Sequence, residues 1–480
     1  MKYLRYGLKA LGWLALVLGV LTAIGLAALI AANWSDDALS EAAQQALHYA
    51  PPTEQALEGN GYLIVMGLDA PAEGDTVAEA MALGRKRLAR EIERRRWVEA
   101  HGDRLEGMPQ SIAVESAVDA VFPARLRCPE GEADCFTWFV KHGDEVQALV
   151  ITHQAQLQRL AAAASAPQFN NPAPSYLLVE LPPYARLVRA HELWLAQASL
   201  QWMRGQPQRA LQIAHQAAQL RSRLASQSNS LIASMIALAM QHRELRWLSD
   251  ASAHLEPQTP MAVHQGVEAL LAIPPGTLYQ ALEGEKQYMA STLYTSQNEN
   301  GSGLFVDPWD SDPAWWTRAL DRASDWAYLR HHTLNATARN LQQLQAISAL
   351  PPHQMEAAFS KAIEQQSEGN ICAPWKQLRN VTGMCLATET IFTYKGYIQR
   401  TADMEGFRRL VGLQHRAATQ RVALPDMPTW LGQSPRDLRN PYTLQPMQWD
   451  TATSSLVFEG RERQNHNPNQ SPTYRIRLRY

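Results

Sequence analysis

The N-terminal part of the chain contains an unbroken apolar run from Ala10 to Ala32. An α-helix rises about 1.5 Å per residue, so a run of this length covers a bilayer core of roughly 30 Å. Every backbone N–H and C=O group inside that core must be paired within the segment, and a helix pairs them. The sequence therefore predicts a single transmembrane helix over residues 10–32, with the lipid bilayer as its partner.

Charged residues on either side of this run predict its orientation. Three basic residues precede it and three acidic residues follow it: Lys2, Arg5 and Lys9, then Asp36, Asp37 and Glu41. Lysine and arginine are retained on the cytoplasmic side of a membrane. We therefore expect residues 1–9 to form a cytoplasmic tail and the bulk of the chain to lie on the opposite side.

The alternative to an anchor is a signal peptide that is cleaved. The apolar run is much longer than the roughly 7–15 residues of a signal-peptide core. Leu29 and Ile30 occupy the position three residues before a cut after Ala31 or Ala32, where a small side chain is needed. Both observations favour an uncleaved anchor.

Small residues recur every four positions along the predicted anchor: Ala15, Gly19, Ala23, Ala27 and Ala31. This spacing lets two helices approach closely in lipid, which predicts self-association through the transmembrane helix. The alternative is that the pattern only reflects the high alanine and glycine content of the run.

Composition and charge narrow the class of protein. With 480 residues the chain is long enough for two or three domains of roughly 150 residues each. Its hydrophobic content of 46% and charged content of 19% are typical of a globular protein. The formal net charge of −2 gives no global attraction to nucleic acid, so no nucleic-acid partner is expected.

The apolar stretch at 231–240 is too short to span a membrane and predicts a core helix.

Four cysteines fall into two local pairs, Cys128 with Cys135 and Cys372 with Cys385. Disulfides persist in oxidising compartments outside the cytoplasm, where the predicted topology puts both pairs. Three pairings of four cysteines are possible, and local closure is the simplest. A zinc site is the alternative, but neither pair has the gap of two to four residues typical of zinc ligands, and no histidine cluster accompanies them.

Proline-rich and polar breaks divide the rest of the chain. We interpret residues 33–60 as a tether, 61–180 as a mixed, mostly helical region with the Cys128/Cys135 loop, 181–437 as a helical domain and 438–480 as a small β appendix. The predicted fold class is mainly α, with an N-terminal transmembrane helix and a small C-terminal antiparallel β element of two or three strands.

Two segments of the mixed region carry more detailed predictions. Residues 61–68, GYLIVMGL, predict a short strand or an extended segment, and residues 136–165 predict one long helix. Residues 77–100 have a helical pattern with most of their basic side chains on one side. Anionic phospholipid could attract that side, but interleaved glutamates favour a solvated face with local ion pairs.

Residues 191–224 contain five candidate helix-packing residues: Trp194, Ala198, Gly205, Ala210 and Ala217. This spacing resembles one tetratricopeptide repeat, in which small residues let two antiparallel helices pack closely around a short turn. Ala214 and Ser222 stand where that family usually has a bulky aromatic residue and a proline. No second copy follows, so we expect a single helical hairpin rather than a stacked array.

Four segments carry a resemblance over the whole chain: GNGYLIVMGLDAP at 59–71, the Cys128/Cys135 pair, HTLNAT at 332–337 and NPYTLQPMQWD at 440–450. With them the chain resembles uncharacterised membrane-anchored proteins of Gram-negative bacteria. The resemblance implies a bacterial inner-membrane protein with a cytoplasmic N-terminus and a periplasmic bulk. It implies no chemistry.

Catalytic and phosphate-binding signatures such as HExxH, GxSxG, SxxK and GxxxxGK[ST] are absent from the sequence. We therefore assign no catalytic residue, cofactor or metal. Two weaker patterns remain. Asp307, Asp310 and Asp312 could bind Ca²⁺ or could cap the next helix, and three nearby tryptophans could form a carbohydrate platform or anchor a loop on the core: Trp309, Trp315 and Trp316.

Two further patterns concern titratable side chains. His331 and His332 are adjacent, so on a helix they diverge and are poorly placed to share a metal ion. Glu283, Glu285 and Lys286 lie in one helical stretch with Tyr288. A buried glutamate with a raised pKa could act as a general acid there, but a surface ion pair explains the same residues.

Two function classes follow from these observations. A membrane-tethered binding or assembly protein, with protein partners in the cell envelope, accounts for the anchor, the helical bulk and the missing catalytic motifs. A periplasmic hydrolase of envelope material is the alternative. A pocket with convergent carboxylates would favour the hydrolase, whereas a broad apolar groove would favour the binding protein.

Overall fold

The protein is mainly helical, as the sequence predicts. The computed structural model describes residues 2–101, 106–114, 118–129, 134–295, 314–315, 328–367, 378–462 and 472–478. A long N-terminal helix is followed by five further helices in the first part of the chain: α1 (Lys2–Ala32), α2 (Glu41–Leu47), α3 (Glu54–Leu57), α4 (Gly61–Met66), α5 (Thr76–His101) and α6 (Val118–Val121).

Residues 61–68 contain a helix rather than the predicted strand. Asn60 starts α4, because its side-chain oxygen accepts the backbone N–H of Tyr62 at 3.0 Å. All six residues of α4 are buried. A continuous apolar run is compatible with both a buried strand and a buried helix. Here the N-cap residue Asn60 favours the helix. The strand prediction is wrong.

Helix α5 buries charged side chains that the sequence predicts on a solvated face. Arg87, Glu91, Arg94 and Arg95 are each at most 9% exposed. Arg87 donates a hydrogen bond to Asp69 at 2.9 Å, and Arg94 lies 3.4 Å from Glu91. Such burial is tolerated only where charges are paired. The solvated-face prediction is therefore wrong for these four residues.

Three short helices replace the single helix predicted over 136–165: α7 (Cys135–Lys141), α8 (Gly143–Thr152) and α9 (Gln154–Ser165). The chain turns at His142 (φ −107°, ψ 22°) and His153 (φ −103°, ψ 23°), which lie outside the α-helical region. Neither histidine is a helix breaker, so these turns leave no clear signal in the sequence.

Five consecutive helices form the centre of the molecule: α10 (Tyr184–Met203), α11 (Pro207–Gln227), α12 (Leu231–Ala253), α13 (Met261–Leu271) and α14 (Tyr279–Thr295). Helices α10 and α11 pack together across a turn in which Gly205 has φ +75°, and Pro207 is the first residue of α11. The predicted packing residues Trp194, Ala198, Ala210 and Ala217 are buried. The likeness to a tetratricopeptide repeat stays a prediction.

The last helices surround a long central one: α15 (Arg330–Ser348), α16 (Pro352–Ser367), α17 (Val381–Gln420) and α18 (Met427–Gly432). Helix α17 has 40 residues and packs against α12, α13 and α15. The stretch at 231–240 belongs to α12, whose buried residues confirm the predicted core helix.

The C-terminal region forms the predicted antiparallel sheet, with three strands in the order β1 (Gln448–Asp450), β2 (Ser455–Glu459) and β3 (Thr473–Arg477). Leu456 of β2 pairs with Ile476 of β3. The sheet packs on α17 where Gly406 leaves room for the Phe458 ring, since a Cβ at Gly406 would lie 2.1 Å from it.

A buried carboxylate fastens the same sheet to α17. Asp403 accepts the backbone N–H groups of Arg461 and Glu462 at 2.8 and 2.9 Å, and the hydroxyl of Tyr442 donates to it. Asn440 shapes the preceding turn by accepting the N–H of Tyr442 at 2.9 Å. The NPYTLQPMQWD segment therefore has a structural role.

Candidate functional site

The end of α1 is fixed to the helical body by hydrogen bonds. Asn33 accepts the backbone N–H of Asn380 at 2.7 Å. Asp36 accepts the N–H groups of His331 and His332 at 2.7 and 3.0 Å. These N–H groups belong to the first turn of α15, which has no partner for them inside the helix. The residues immediately after the apolar helix are thus part of the folded body.

Residues 33–60 do not behave as the predicted tether, because α2 packs into the body. Ala43 and Ala46 are 0% and 4% exposed and share an apolar cluster with Leu293 of α14 and Leu334 of α15. The backbone N–H of Ser40 donates to the Asn335 side chain at 2.8 Å. The apolar cluster and this hydrogen bond fix the segment to α14 and α15.

A cavity of about 730 Å³ lies among α7, α10 and α12. Its apolar wall consists of Phe122, Trp138, Phe139, Leu195 and Trp247. Its charged groups are four guanidiniums and one carboxylate: Arg125, Arg127, Arg243, Arg246 and Glu192. Combined aromatic and basic linings suit ligands that carry both an apolar body and a negative charge. We call this feature the arginine cavity.

The predicted Cys128–Cys135 disulfide is present at the edge of the arginine cavity, with its Cα atoms 5.5 Å apart. Arg246 donates to the Pro129 carbonyl at 3.1 Å and lies 3.3 Å from the Cys135 sulfur. The disulfide therefore helps to set the position of a cavity side chain. Cys385 is also disulfide-bonded, but Cys372 lies outside the described residues, and that pairing stays a prediction.

A second, smaller cleft of about 370 Å³ is lined by five tyrosines and two glutamates: Tyr62, Tyr184, Tyr288, Tyr394, Tyr397, Glu180 and Glu285. The hydroxyls of Tyr62 and Tyr184 are 2.7 Å apart. Burial raises the pKa of Tyr184 to about 12 and raises the pKa of the Glu180 carboxyl. We call this feature the tyrosine cleft.

Glu285, one of the two glutamates considered in the sequence analysis, lines the tyrosine cleft. Its carboxylate accepts the Tyr394 hydroxyl at 2.7 Å and the backbone N–H of Leu231. Burial is the largest influence and raises its pKa, so this carboxyl keeps its proton to a higher pH than an exposed glutamate does. Glu283, not Glu285, pairs with Lys286, at 2.5 Å. The ion pair and the buried carboxyl that accepts from Tyr394 thus belong to two different glutamates.

The other sequence candidates do not form a site in the described part of the chain. Five of them lie outside the described residues: Asp307, Asp310, Asp312, Trp309 and Trp316. Trp315 is 80% exposed. His331 contacts the Asp37 carbonyl at 2.9 Å, and burial lowers the pKa of His332. Within the described ranges, no group of three or more His, Cys, Asp or Glu side chains is placed to hold a metal ion.

The five small residues predicted to mediate helix association are all exposed on α1: Ala15, Gly19, Ala23, Ala27 and Ala31. A Cβ added at Gly19 would meet no atom within 4 Å. The face is thus open in the single chain, and self-association stays a prediction.

Sequence reasoning missed the arginine cavity, because its lining comes from separate segments of the chain. Arg243 and Arg246 are three residues apart and so share one face of α12. That spacing, directly after an apolar stretch, was the available signal. The contributions of Arg125 and Arg127 depend on the turn before the disulfide, which only the tertiary structure reveals.

Comparison with known proteins finds no family model, curated protein or solved structure that matches this chain. Function must therefore be inferred from the geometry of the chain itself.

Proposed function

We propose that this protein is a single-pass protein of a bacterial inner membrane whose periplasmic helical domain binds a component of the cell envelope. The observation that carries the proposal is α1. Residues Gly12–Ala32 are long and apolar enough to cross a bilayer, and none of that window is buried inside the protein. Leu14, Leu18 and Leu21 are each more than 55% exposed. Lipid would cover such side chains, whereas water would not favour them.

Two tryptophans support the membrane placement. Trp13 is 68% exposed near the start of the apolar segment, and Trp34 is 82% exposed just past its end. A helix of about 20 residues separates them by roughly 30 Å, which is the thickness of the hydrocarbon core. Tryptophan side chains favour the two membrane–water interfaces. The body begins at Asn33, so we place it directly against the membrane surface.

The topology is tested by fusing a phosphatase that is active only in the periplasm after Tyr480. We expect activity from the full-length fusion and none from a matched fusion that lacks residues 2–32. Activity from a cytoplasm-specific reporter at the same position, with a silent phosphatase, would contradict the proposal.

Binding is tested by crosslinking in intact envelopes. Leu177, Leu181 and Ile232 line the tyrosine cleft and are 45%, 46% and 46% exposed, so a photo-crosslinking residue at Leu181 samples its rim. The exposed Gln216 on α11 is the matched control position. We expect a defined crosslinked product at Leu181 and none at Gln216. Identical patterns at both positions would count against a binding surface there.

A second candidate function is a hydrolase of envelope material, favoured by Glu285 and Glu180. Both carboxyls line the tyrosine cleft, and burial raises the pKa of each. A carboxyl of this kind can act as a general acid. Glu285→Gln should abolish release of soluble fragments from purified cell-wall material, whereas Glu283→Gln should not. If neither the wild type nor the variants release fragments, the hydrolase function is contradicted.

A further inference from the structure

We infer that the arginine cavity binds an anionic amphiphile, that is, a ligand with a phosphate-like or carboxylate head group on an apolar or aromatic body. The inference deepens the proposed binding function, and it rests on that proposal for the compartment in which the protein encounters the ligand. The site itself is defined by side chains of the described residues and is independent of the membrane topology.

The charge of the lining favours an anion. Four guanidiniums face one carboxylate among the described lining residues. That carboxylate, on Glu192, is already engaged by Arg189 at 3.0 Å and by Arg243. Arg125 pairs with Glu145 outside the lining, and both side chains are well exposed, so the pair is weak. Glu130 and Glu132 lie outside the described residues.

Arg127 provides the most specific observation. Its Nε atom is buried, and no described residue supplies a hydrogen-bond partner for it. A buried donor without a partner costs free energy, so this arginine is not retained there to stabilise the fold. A guanidinium also matches phosphate and carboxylate geometry better than an ammonium does, because it presents parallel N–H donors.

The apolar wall determines the rest of the ligand. Phe122, Phe139 and Trp247 are at most 7% exposed, so they form a rigid surface rather than a mobile rim. The indole N–H of Trp138 is already donated to the Leu126 carbonyl at 3.1 Å. These side chains thus offer ring faces and edges to a ligand. A flat or aliphatic body fits such a wall, and a small inorganic anion would leave it uncovered.

The binding experiment uses the full chain in lipid nanodiscs and isothermal titration calorimetry, with empty nanodiscs as the blank. The probes are 1-naphthyl phosphate, neutral 1-naphthol and inorganic phosphate. We expect naphthyl phosphate to bind at least 10-fold more tightly than either of the others. Equal affinity for naphthol, equal affinity for inorganic phosphate, or no binding of naphthyl phosphate would each overturn the inference.

The variants separate binding from folding. Arg127→Leu removes a buried donor that lacks a partner, so we expect an unchanged or higher Tm together with at least a 10-fold loss of naphthyl phosphate affinity. Arg209→Leu, at an exposed position of α11 outside the cavity, loses the same charge and should bind like the wild type. Wild-type affinity in Arg127→Leu, or an equal loss in Arg209→Leu, would overturn the site.

Competition then distinguishes the sources of the ligand. Displacement of naphthyl phosphate by dihexanoyl phosphatidic acid assigns the site to a lipid head group, and displacement by soluble aryl phosphates alone assigns it to a soluble anion. Both results support an anionic site. The calorimetry does not depend on the topology, and the phosphatase fusion does not depend on ligand binding. Failure of one proposal is therefore distinguishable from failure of the other.

Discussion

At the scale of single residues, Glu91 holds one of the most buried charges in the protein. It is 1% exposed, accepts the Tyr176 hydroxyl at 2.6 Å and the Glu180 N–H at 3.1 Å, and lies 3.4 Å from Arg94. Burial still dominates and raises its pKa. The carboxylate joins α5 to the segment before α10. The sequence of α5 alone does not show that Glu91 is buried, because burial depends on the segments that pack against the helix.

We predict that Glu91→Ala lowers the free energy of unfolding by about 3–5 kcal/mol, because it leaves the buried Arg94 without its carboxylate. Glu93→Ala, which removes an exposed partner of Arg90, should change it by less than about 0.5 kcal/mol. Chemical denaturation of the purified protein measures both values. Similar values for the two variants would show that the Glu91 contacts contribute little.

His415 predicts a pH dependence of stability. It is 2% exposed on α17, and burial lowers its pKa from 6.5 to about 4, with the nearby His264 acting in the same direction. The unfolded chain therefore binds more protons than the native protein between these values. Stability rises with pH across this window and is lost as the pH falls from about 6.5 towards 4, by up to about 3 kcal/mol.

The measurement for His415 is the free energy of unfolding at pH 7 and at pH 4.5. The loss on acidification should be smaller in His415→Gln, which has no charge to gain. His215→Gln, at an exposed position of α11, should keep the loss of the wild type. If His415→Gln loses as much free energy of unfolding as the wild type between pH 7 and pH 4.5, other groups cause the acid sensitivity.

At the scale of elements, two glycines let α4 and α5 cross with their backbones in contact. A Cβ at Gly67 would lie 1.9 Å from the Ala80 carbonyl oxygen, and a Cβ at Gly84 would lie 2.0 Å from the Leu63 carbonyl oxygen. The rigid backbone leaves no flexible atom to move aside. The composition of the GNGYLIVMGLDAP segment, which contains Gly67 and the buried residues of α4, is therefore explained by helix packing.

Gly84→Ala should destabilise the protein by more than about 3 kcal/mol or prevent folding, because the added methyl group forces α4 and α5 apart. Gly396→Ala is the control, since Gly396 lies within α17 and a Cβ there would meet nothing within 4 Å. This control should stabilise by about 0.5–1 kcal/mol. Soluble yield and Tm distinguish the two, and an unaffected Gly84→Ala would contradict the close crossing.

The hairpin of α10 and α11 carries a prediction of the same kind. Ala217 is 0% exposed and Gln216 is exposed. Ala217→Leu forces extra methylene groups into a packed seam and should cost about 1–3 kcal/mol, whereas Gln216→Leu should stay within roughly 0.5 kcal/mol. Equal Tm values for the two variants would mean that the helix face is assigned wrongly.

Local sequence patterns predicted the helical bulk, the apolar core helix at 231–240 and, from β-branched and aromatic residues around polar turns, the C-terminal sheet. The helix at 61–66 was missed because a wholly apolar run has no period. The turns at His142 and His153 were missed because they carry no breaker residue. The sequence left open which of Glu283 and Glu285 is the buried carboxyl, because that depends on the contacts of α14 with α12 and α17.

At the scale of the whole molecule, the N-terminal helix and the body are joined without a flexible linker. Asn33 and Asp36 bond to the ends of α17 and α15, and α2 fills an apolar cluster between α14 and α15. Asn33 also donates its backbone N–H to the Leu29 carbonyl of α1 at 3.1 Å, so the end of the helix continues directly into the body. We therefore expect the body to keep one orientation on the bilayer, with Trp34 at the interface.

Truncation tests this junction. A chain of residues 33–480 lacks α1 but keeps the hydrogen bonds of Asn33 and Asp36 to α17 and α15 and the packing of α2. It should therefore be soluble and should unfold with the same free energy as the body of the full-length protein. A chain of residues 48–480 also lacks Asp36, which caps α15, and the buried Ala43 and Ala46. Loss of the cap and of this apolar contact should lower the free energy of unfolding by about 2–4 kcal/mol. Urea denaturation of both chains measures the difference. Equal stability would mean that the contacts of residues 33–47 contribute little to the fold and do not fix the body relative to α1.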